Sequence, residues 1–364
     1  MKLTLVLILG LAVPASAYLP SLLEKLWPSY EGNVFDEVPT IPYKDLVTDN
    51  LYVDPSVLMA MKQFGFFYVG EVPGYNASVE LDYLQQFFNL PEELKAGTEI
   101  RRHNPANKNA YRGYCPGLDD VDATLQYKNL FNIGPHETRA PISEDNILTG
   151  MDKLRYDIHE PNVWPQTGDC AFDKEFKEIF QKGFEFRQTI ARKFVQSISR
   201  SLDLPKLNDL FQEDEFSAMG LRRYPKRDRI NTNMYSDFDG TLLRELEHID
   251  STVTVLTTFD NGGLQGLYKN QYRNMPATGA NSFVVMIGKL VDDLVDNQLF
   301  SVKHRVIETP FDRHSITYFL GPQFDADISR SVTEERRLTE AGRKYTIFGE
   351  WIKDYLGAIE LFYY

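Results

Sequence analysis

Residues 247–256 read EHIDSTVTVL, an acidic cluster that becomes a β-branched run at Val253, Thr254 and Val255. His248 and Asp250 stand two apart at the mouth of that run. Side chains two apart on an extended chain share a face, so the pair can grip one ligand or simply end a solvated loop. A second histidine, His304, lies among the alternating residues of FSVKHRVI (300–307). Two imidazoles and a carboxylate make up the facial set that holds non-haem Fe(II) while leaving positions open for substrate and O2. Further on, RHSITYFL (313–320) opens with Arg313 and Ser315 on one face. A guanidinium fork beside a hydroxyl suits a carboxylate.

Such residues need a rigid frame. Strands are expected at about 217–224, 251–259, 282–287, 300–307 and 313–320, parted by turn signals such as Asp260-Asn261-Gly262-Gly263. The spacing leaves no room for crossover helices, so the sheet should be largely antiparallel, a barrel or a double-sheet jelly roll. Before it come a helix near Pro55–Phe64, a buried strand GFFYVGEV (65–72), a helix from about Ala77 to Phe88, and a loop-rich stretch over 101–170. Apolar residues from Phe172 to Leu202 recur at helical spacing, which predicts a long amphipathic helix against the core. Ser331 and Glu334 suggest a capping box for a closing helix whose apolar face is Phe348, Trp351 and Ile352. His103, His136 and His159 read as surface residues, and His314 alternates away from Arg313 and Ser315 as a structural residue.

The chain has 364 residues, 43% hydrophobic and 13% aromatic, enough for a large core in one domain or two. Its net charge of −13 argues against a nucleic-acid backbone as partner. MKLTLVLILGLAVPASA reads as a secretory signal peptide: Lys2, an apolar run from Leu3 to Val13, then Ala15-Ser16-Ala17, with cleavage before Tyr18. That run is too short to span a bilayer and no later segment is apolar for long enough, so no transmembrane segment is expected. Asn76-Ala77-Ser78 is an N-glycosylation acceptor. Cys115 and Cys170 can pair in an oxidising lumen or remain two separate thiols.

At its strand motifs the chain resembles the 2-oxoglutarate/Fe(II)-dependent oxygenase superfamily, in its isopenicillin N synthase-like branch. HID (248–250), HRV (304–306) and RHS (313–315) follow the family's order H-x-D, H-R-V, R-x-S at compatible spacing. GGLQGLY and NQLFSVKHRV agree with it, as do IPYKDL, FGFFYVGEVPG, FFNLPEELK, YRGY and EPNVWP in the first half. The likeness spans about Ile41 to Phe324. It departs at Arg222, where relatives often carry asparagine, in a longer link from Pro225 to His248, and at Gly288-Lys289, where Gly-Asp is common.

The resemblance implies a mainly β fold with α: a double-stranded β-helix (jelly-roll) core with a helical and mixed N-terminal region and a C-terminal helix. The expected organisation is a signal peptide at 1–17, a leader at 18–40, an N-terminal dioxygenase-type region at 41–170, the long helix and core at 171–330, and a C-terminal helix at 331–364. It further implies that His248, Asp250 and His304 are the iron ligands, and that Arg313, Ser315 and Tyr224 bind 2-oxoglutarate. The expected activity is oxidation, most often hydroxylation, of a small organic or peptide-like substrate with Fe(II), 2-oxoglutarate and O2. Two alternatives remain open at this stage: an Fe(II) oxidase of the same fold that needs no 2-oxoglutarate, and a secreted binding protein that no longer turns over. The targeting reading predicts that protein isolated from its native secretory route begins at Tyr18 and carries a glycan on Asn76. N-terminal sequencing decides it, and mature cytosolic protein that retains Met1 would sink it.

Overall fold

The computed structural model describes residues 33–117, 128–138, 148–212, 215–227, 236–260, 262–333 and 345–358. The expected signal peptide and most of the leader lie outside them. Twelve strands are formed among these residues: β1 Thr40–Pro42, β2 Phe66–Gly70, β3 Gly113–Cys115, β4 Asn129–Ile133, β5 Glu215–Tyr224, β6 Leu243–His248, β7 Val253–Thr258, β8 Leu264–Tyr268, β9 Gln271–Asn274, β10 Phe283–Ile287, β11 His304–Ile307 and β12 Arg313–Gln323. They make an eight-stranded sheet, β1-β2-β10-β7-β12-β5-β4-β3, and a four-stranded sheet, β6-β11-β8-β9. All pairings are antiparallel except β1 with β2. This is the double-sheet jelly roll that the strand spacing and the family resemblance predict. Strands from the first half of the chain extend both edges of the larger sheet.

Sequence spacing placed β5, β7, β10 and β12 within a few residues. It missed β6, whose residues LRELEH are acidic because half of that strand faces solvent. The β8–β9 hairpin was missed as well. Its turn is Lys269-Asn270, both at positive φ, and β9 is a polar outer strand with no apolar alternation to betray it. Only the last four residues of 300–307 are strand. Before them, the Phe300 N–H donates to the Met61 carbonyl at 3.0 Å, tying that segment to the helix Asp54–Gln63 instead of a ladder.

The long helix runs from Cys170 to Leu202, capped by Asp169, whose side chain accepts from the N–H groups of Ala171 and Phe172. Phe176, Phe180, Phe184, Ile190, Phe194 and Ile198 are its buried stripe. They cover the outer face of the larger sheet: the Phe184 ring meets Tyr318 of β12 edge-on at 5.1 Å, and Phe194 meets Phe67 of β2 at 5.6 Å. Each such ring contributes about 1.5–3 kcal/mol by leaving water. The closing helix is Phe348–Ala358. Ser331 does not cap it; its hydroxyl pairs with Thr333 at 2.9 Å, and Glu334 lies outside the described residues. Glu350 reaches back instead to accept from the Thr346 N–H at 2.6 Å. Cys115 and Cys170 are both free thiols. No helix among the described residues is long and apolar enough to cross a membrane.

One buried ion pair bolts the N-terminal region to the core. Arg187 of the long helix donates Nη1 to Glu80 Oε1 at 2.8 Å and Nη2 to Glu80 Oε2 at 2.7 Å. The Arg187 and Glu80 side chains are 0% and 3% exposed. Thr257 of β7 accepts from the same Nη2 at 2.6 Å, and the Tyr75 hydroxyl donates to Glu80 at 2.7 Å. Three distant segments thus share one set of charges. Removing one partner strands the other in a dry interior, so Glu80→Ala is expected to cost about 3–5 kcal/mol of unfolding free energy. The double variant Glu80→Leu/Arg187→Met should recover much of that loss. Urea denaturation followed by tryptophan fluorescence measures both, and a near-neutral Glu80→Ala overturns the assignment.

Candidate active site

His248 ends β6, Asp250 follows in the turn to β7, and His304 opens β11 opposite His248 in the register. The ligand-capable atoms of the three side chains lie within 4.8 Å of one another. Asp250 Oδ1 is 3.7 Å from Nε2 of each histidine. The other ring nitrogens are engaged: Nδ1 of His248 lies 2.7 Å from the Leu246 carbonyl, and Nδ1 of His304 lies 3.2 Å from the Val302 carbonyl. A carbonyl can only accept, so both Nδ1 atoms carry a proton and both Nε2 atoms are turned to the shared space. Burial, reinforced by His248, keeps the His304 pKa below the ordinary imidazole range despite the nearby Asp250 carboxylate. Two imidazoles and a carboxylate converge on one point, the donor set that suits a divalent iron.

The carboxylate is aimed by its surroundings. Thr254 Oγ1 donates to Asp250 Oδ2 at 2.6 Å, which leaves Oδ1 turned toward the imidazoles. The turn is held by three consecutive N–H groups: Gly288 to the Thr252 carbonyl at 2.7 Å, Lys289 to that of Asp250 at 2.8 Å, and Leu290 to that of Ser251 at 3.0 Å. A Cβ on Gly288 would stand 2.2 Å from the Asp250 carbonyl oxygen, so only glycine permits this approach.

On β12, Arg313 lies opposite Tyr224, and Ser315 lies between Arg222 of β5 and Thr258 of β7. Residues directly opposite share a face, so Arg313, Tyr224, Ser315 and Arg222 all point between the sheets. Asp260 Oδ2 balances the Arg313 charge from 3.2 Å at Nε, without hydrogen-bond alignment. Gly263 makes room for this contact, since a Cβ there would meet Nε at 2.4 Å. Among the described residues, the two Nη atoms of Arg313 and the hydroxyls of Ser315 and Tyr224 make no hydrogen bond, and all three residues line one cavity.

That cavity has a volume of about 310 Å³ and takes in His248, Asp250 and His304 as well. All six residues singled out by the sequence therefore meet in one space. A second lobe of about 290 Å³ adjoins it through Lys128, Arg222, Phe319, Trp351 and Tyr355, which line both. Sequence reasoning missed the supporting residues Thr254, Asp260 and Gly263, and also Lys128 and Glu245, which pair at 2.8 Å across the rim. Burial works against the Glu245 carboxylate, yet Lys128 and Arg222 hold it below the usual range. Alternation could have found Arg222, two residues before Tyr224 on the same face.

The remaining histidines stand apart from this cluster. His103, His136 and His159 are half-buried and not surface residues as expected, because the N-terminal loops fold over them: Cys115 Sγ lies 3.4 Å from His103 Nε2, and the rings of His136 and His159 are 4.8 Å apart. His314 is buried with its ring 6.5 Å from that of Phe88, and burial pushes its pKa down to about 4. That suits a structural residue.

A jelly roll with a His-Asp-His cluster and an arginine-serine pair in the same cavity defines a class of non-haem iron oxygenases. The profile for the N-terminal region described as "non-haem dioxygenase in morphine synthesis N-terminal" matches residues 39–167, and that of the 2OG-Fe(II) oxygenase superfamily matches 217–322. The chain belongs to the 2-oxoglutarate/Fe(II)-dependent oxygenase superfamily, in its isopenicillin N synthase-like branch. It is similar to isopenicillin N synthase of Streptomyces clavuligerus, 24% identical over 82% of this chain and 87% of the relative. It is also similar to the 2-oxoglutarate-dependent dioxygenase thnC of Trichoderma harzianum, 25% identical over 71% of this chain and 75% of the relative. Among solved structures, a full-length Neurospora crassa protein in complex with alpha-KG superposes with a TM-score of 0.65 at 23% identity, covering 88% of this chain and 96% of that one. JOX2 in complex with 2OG, Fe and JA superposes with a TM-score of 0.56 at 20% identity, covering 79% of this chain and 75% of that one. The protein is an Fe(II) dioxygenase of the 2-oxoglutarate-dependent family.

Two substitutions test the metal site. Asp250→Ala should abolish Fe(II) binding with the circular-dichroism spectrum unchanged, because the residue sits at the rim of a preformed core. Thr254→Val should only weaken it, by about 10- to 100-fold, the usual effect of freeing a ligand from its supporting hydrogen bond. Anaerobic metal titration reads both. Full iron stoichiometry in Asp250→Ala rejects the assignment.

Proposed function

We infer that this dioxygenase hydroxylates a small organic substrate, with His248, Asp250 and His304 holding Fe(II) and with Arg313, Ser315 and Tyr224 receiving the far carboxylate of 2-oxoglutarate. The observation that carries this reading is the convergence of all six side chains on one cavity of about 310 Å³. Bound iron supplies the redox chemistry that couples O2 and 2-oxoglutarate to oxidation of a C–H bond. The chain supplies position. The Nη atoms of Arg313 offer a planar fork, the hydroxyls of Ser315 and Tyr224 offer donors, and Asp260 at Nε holds the guanidinium in line. Trp351 and Tyr355 of the closing helix stand over the junction of the two lobes, where they limit the access of water.

The compartment belongs to the same proposal. The apolar leader directs the chain into the secretory pathway, and the mature protein works as a secreted or lumenal glycoprotein. Asn76 is exposed as the cap of the helix Ala77–Asn89. Its Oδ1 accepts from the Ser78 N–H at 3.0 Å, and its amide nitrogen makes no hydrogen bond among the described residues. Those features suit a glycan acceptor.

Arg313→Ala should weaken 2-oxoglutarate binding by roughly 2 to 5 kcal/mol of binding free energy while sparing Fe(II) binding, since a buried charge partner is lost. Arg313→Lys should recover only part, because an ammonium cannot reproduce the fork. Calorimetric titration of anaerobic, iron-loaded protein measures both. Equal 2-oxoglutarate affinity in wild type and Arg313→Ala would falsify the placement, and a wild type that binds none would favour the cosubstrate-independent oxidase.

A further inference from the structure

The second lobe has a charge pattern opposite to that of the whole chain. The protein carries a net charge of −13, yet the lobe is lined by Arg102, Lys128 and Arg222 and by no Asp or Glu among the described residues. The rest of its wall is aromatic and apolar, with Tyr111, Phe216, Phe319 and Trp351 among the rings. Of the three cations, Lys128 is already paired with Glu245 at 2.8 Å. Arg222 is not. Its Nη1 donates to the Thr317 hydroxyl at 2.7 Å, its Nε is buried with no acceptor, and no carboxylate pairs with it among the described residues. Its guanidinium carbon lies 5.6 Å from the centre of the Phe319 ring, so the fork is braced beside an aromatic wall at the junction of the two lobes.

This guanidinium is half-buried, and the Glu245 and Asp250 carboxylates favour its charge without hydrogen-bonding to it, so its free Nη2 can still take an anion. The cosubstrate does not fill that role in the proposed arrangement, because its far carboxylate is received by Arg313, Ser315 and Tyr224. We propose that Arg222 anchors the carboxylate of the oxidised substrate, and that this substrate is a small organic acid with a flat, apolar body seated among the rings of the second lobe. This rests on the dioxygenase reading and narrows it. One fork suits a monoanionic carboxylate, whereas a phosphate dianion calls for further unpaired cations. A volume of about 290 Å³ holds a compact ring system and excludes a folded peptide.

The test uses the full iron-loaded chain, anaerobic and saturated with 2-oxoglutarate, titrated with 3-phenylpropanoic acid, cinnamic acid and naphthoic acid and with the neutral amide of each. The wild type should bind the acids at least about tenfold more tightly than the amides. In Arg222→Gln that preference should vanish while 2-oxoglutarate affinity holds, and Arg222→Lys should restore part of it. Equal binding of acids and amides by wild type, no binding of any acid, or an unchanged preference in Arg222→Gln each overturns the proposal. So does a loss of 2-oxoglutarate affinity in Arg222→Gln that exceeds the loss of acid affinity, since it would make Arg222 a cosubstrate ligand. Wild type that binds no 2-oxoglutarate but still prefers acids through Arg222 refutes the cosubstrate reading and leaves the anchor standing.

Discussion

Strand β12 is hydrogen-bonded along both edges, to β5 from Arg313 to Leu320 and to β7 from Ser315 to Leu320. A strand paired on both sides cannot slide, and its register decides which residues face the cavity. Arg313, Ser315, Thr317 and Phe319 point between the sheets, while His314, Ile316, Tyr318 and Leu320 point toward the long helix and its neighbours. A slip of one residue would exchange these sets, burying the guanidinium under phenylalanines and opening Ile316 and Tyr318 to the iron cavity. The Phe184 and Tyr318 rings meet edge-on across that outer face, so helix packing itself opposes the slip.

The metal cluster depends on a different device. Its ligands come from the smaller sheet and from the turn that leaves it, so their spacing rests on one backbone turn being held still. Three N–H groups at Gly288, Lys289 and Leu290 hold that turn, and Thr254 fixes the carboxylate's rotation. The same logic appears at Arg313, where Gly263 opens the space that lets Asp260 reach Nε. In both places a glycine without contact to any ligand is what lets a functional group take its position.

Charge is distributed with the same economy. The Arg187–Glu80 pair closes on itself in the dry interface between the helices and β7, whereas Arg313 and Arg222 are left partly unanswered where the cavity begins. Arg187 gives both Nη atoms to one carboxylate, although its Nε, like theirs, finds no acceptor. Among the described residues no carboxylate accepts from the Nη atoms of Arg313 or Arg222, and that difference marks where a ligand's charge is expected.

The iron-ligand motif, the arginine-serine pair and the antiparallel core were legible in the residues because each is written over short spans: H-x-D and R-x-S share faces by strand alternation, and turn signals separate apolar runs. The long helix was legible from its aromatic stripe, and its cap, Asp169, lay just ahead of the expected start. The acidic strand β6, the polar hairpin of β8 and β9 and the true start of the closing helix were not, because edge strands and helix ends take their partners from elsewhere in the chain. Nor could sequence bring Lys128 to Glu245 or Asp260 to Arg313, or gather six residues spread over 92 positions of chain from Tyr224 to Ser315 around one cavity. Local alternation determined which side chains could share a face. Only sheet pairing and packing decided which faces enclose the same space, since that depends on contacts between residues far apart in sequence.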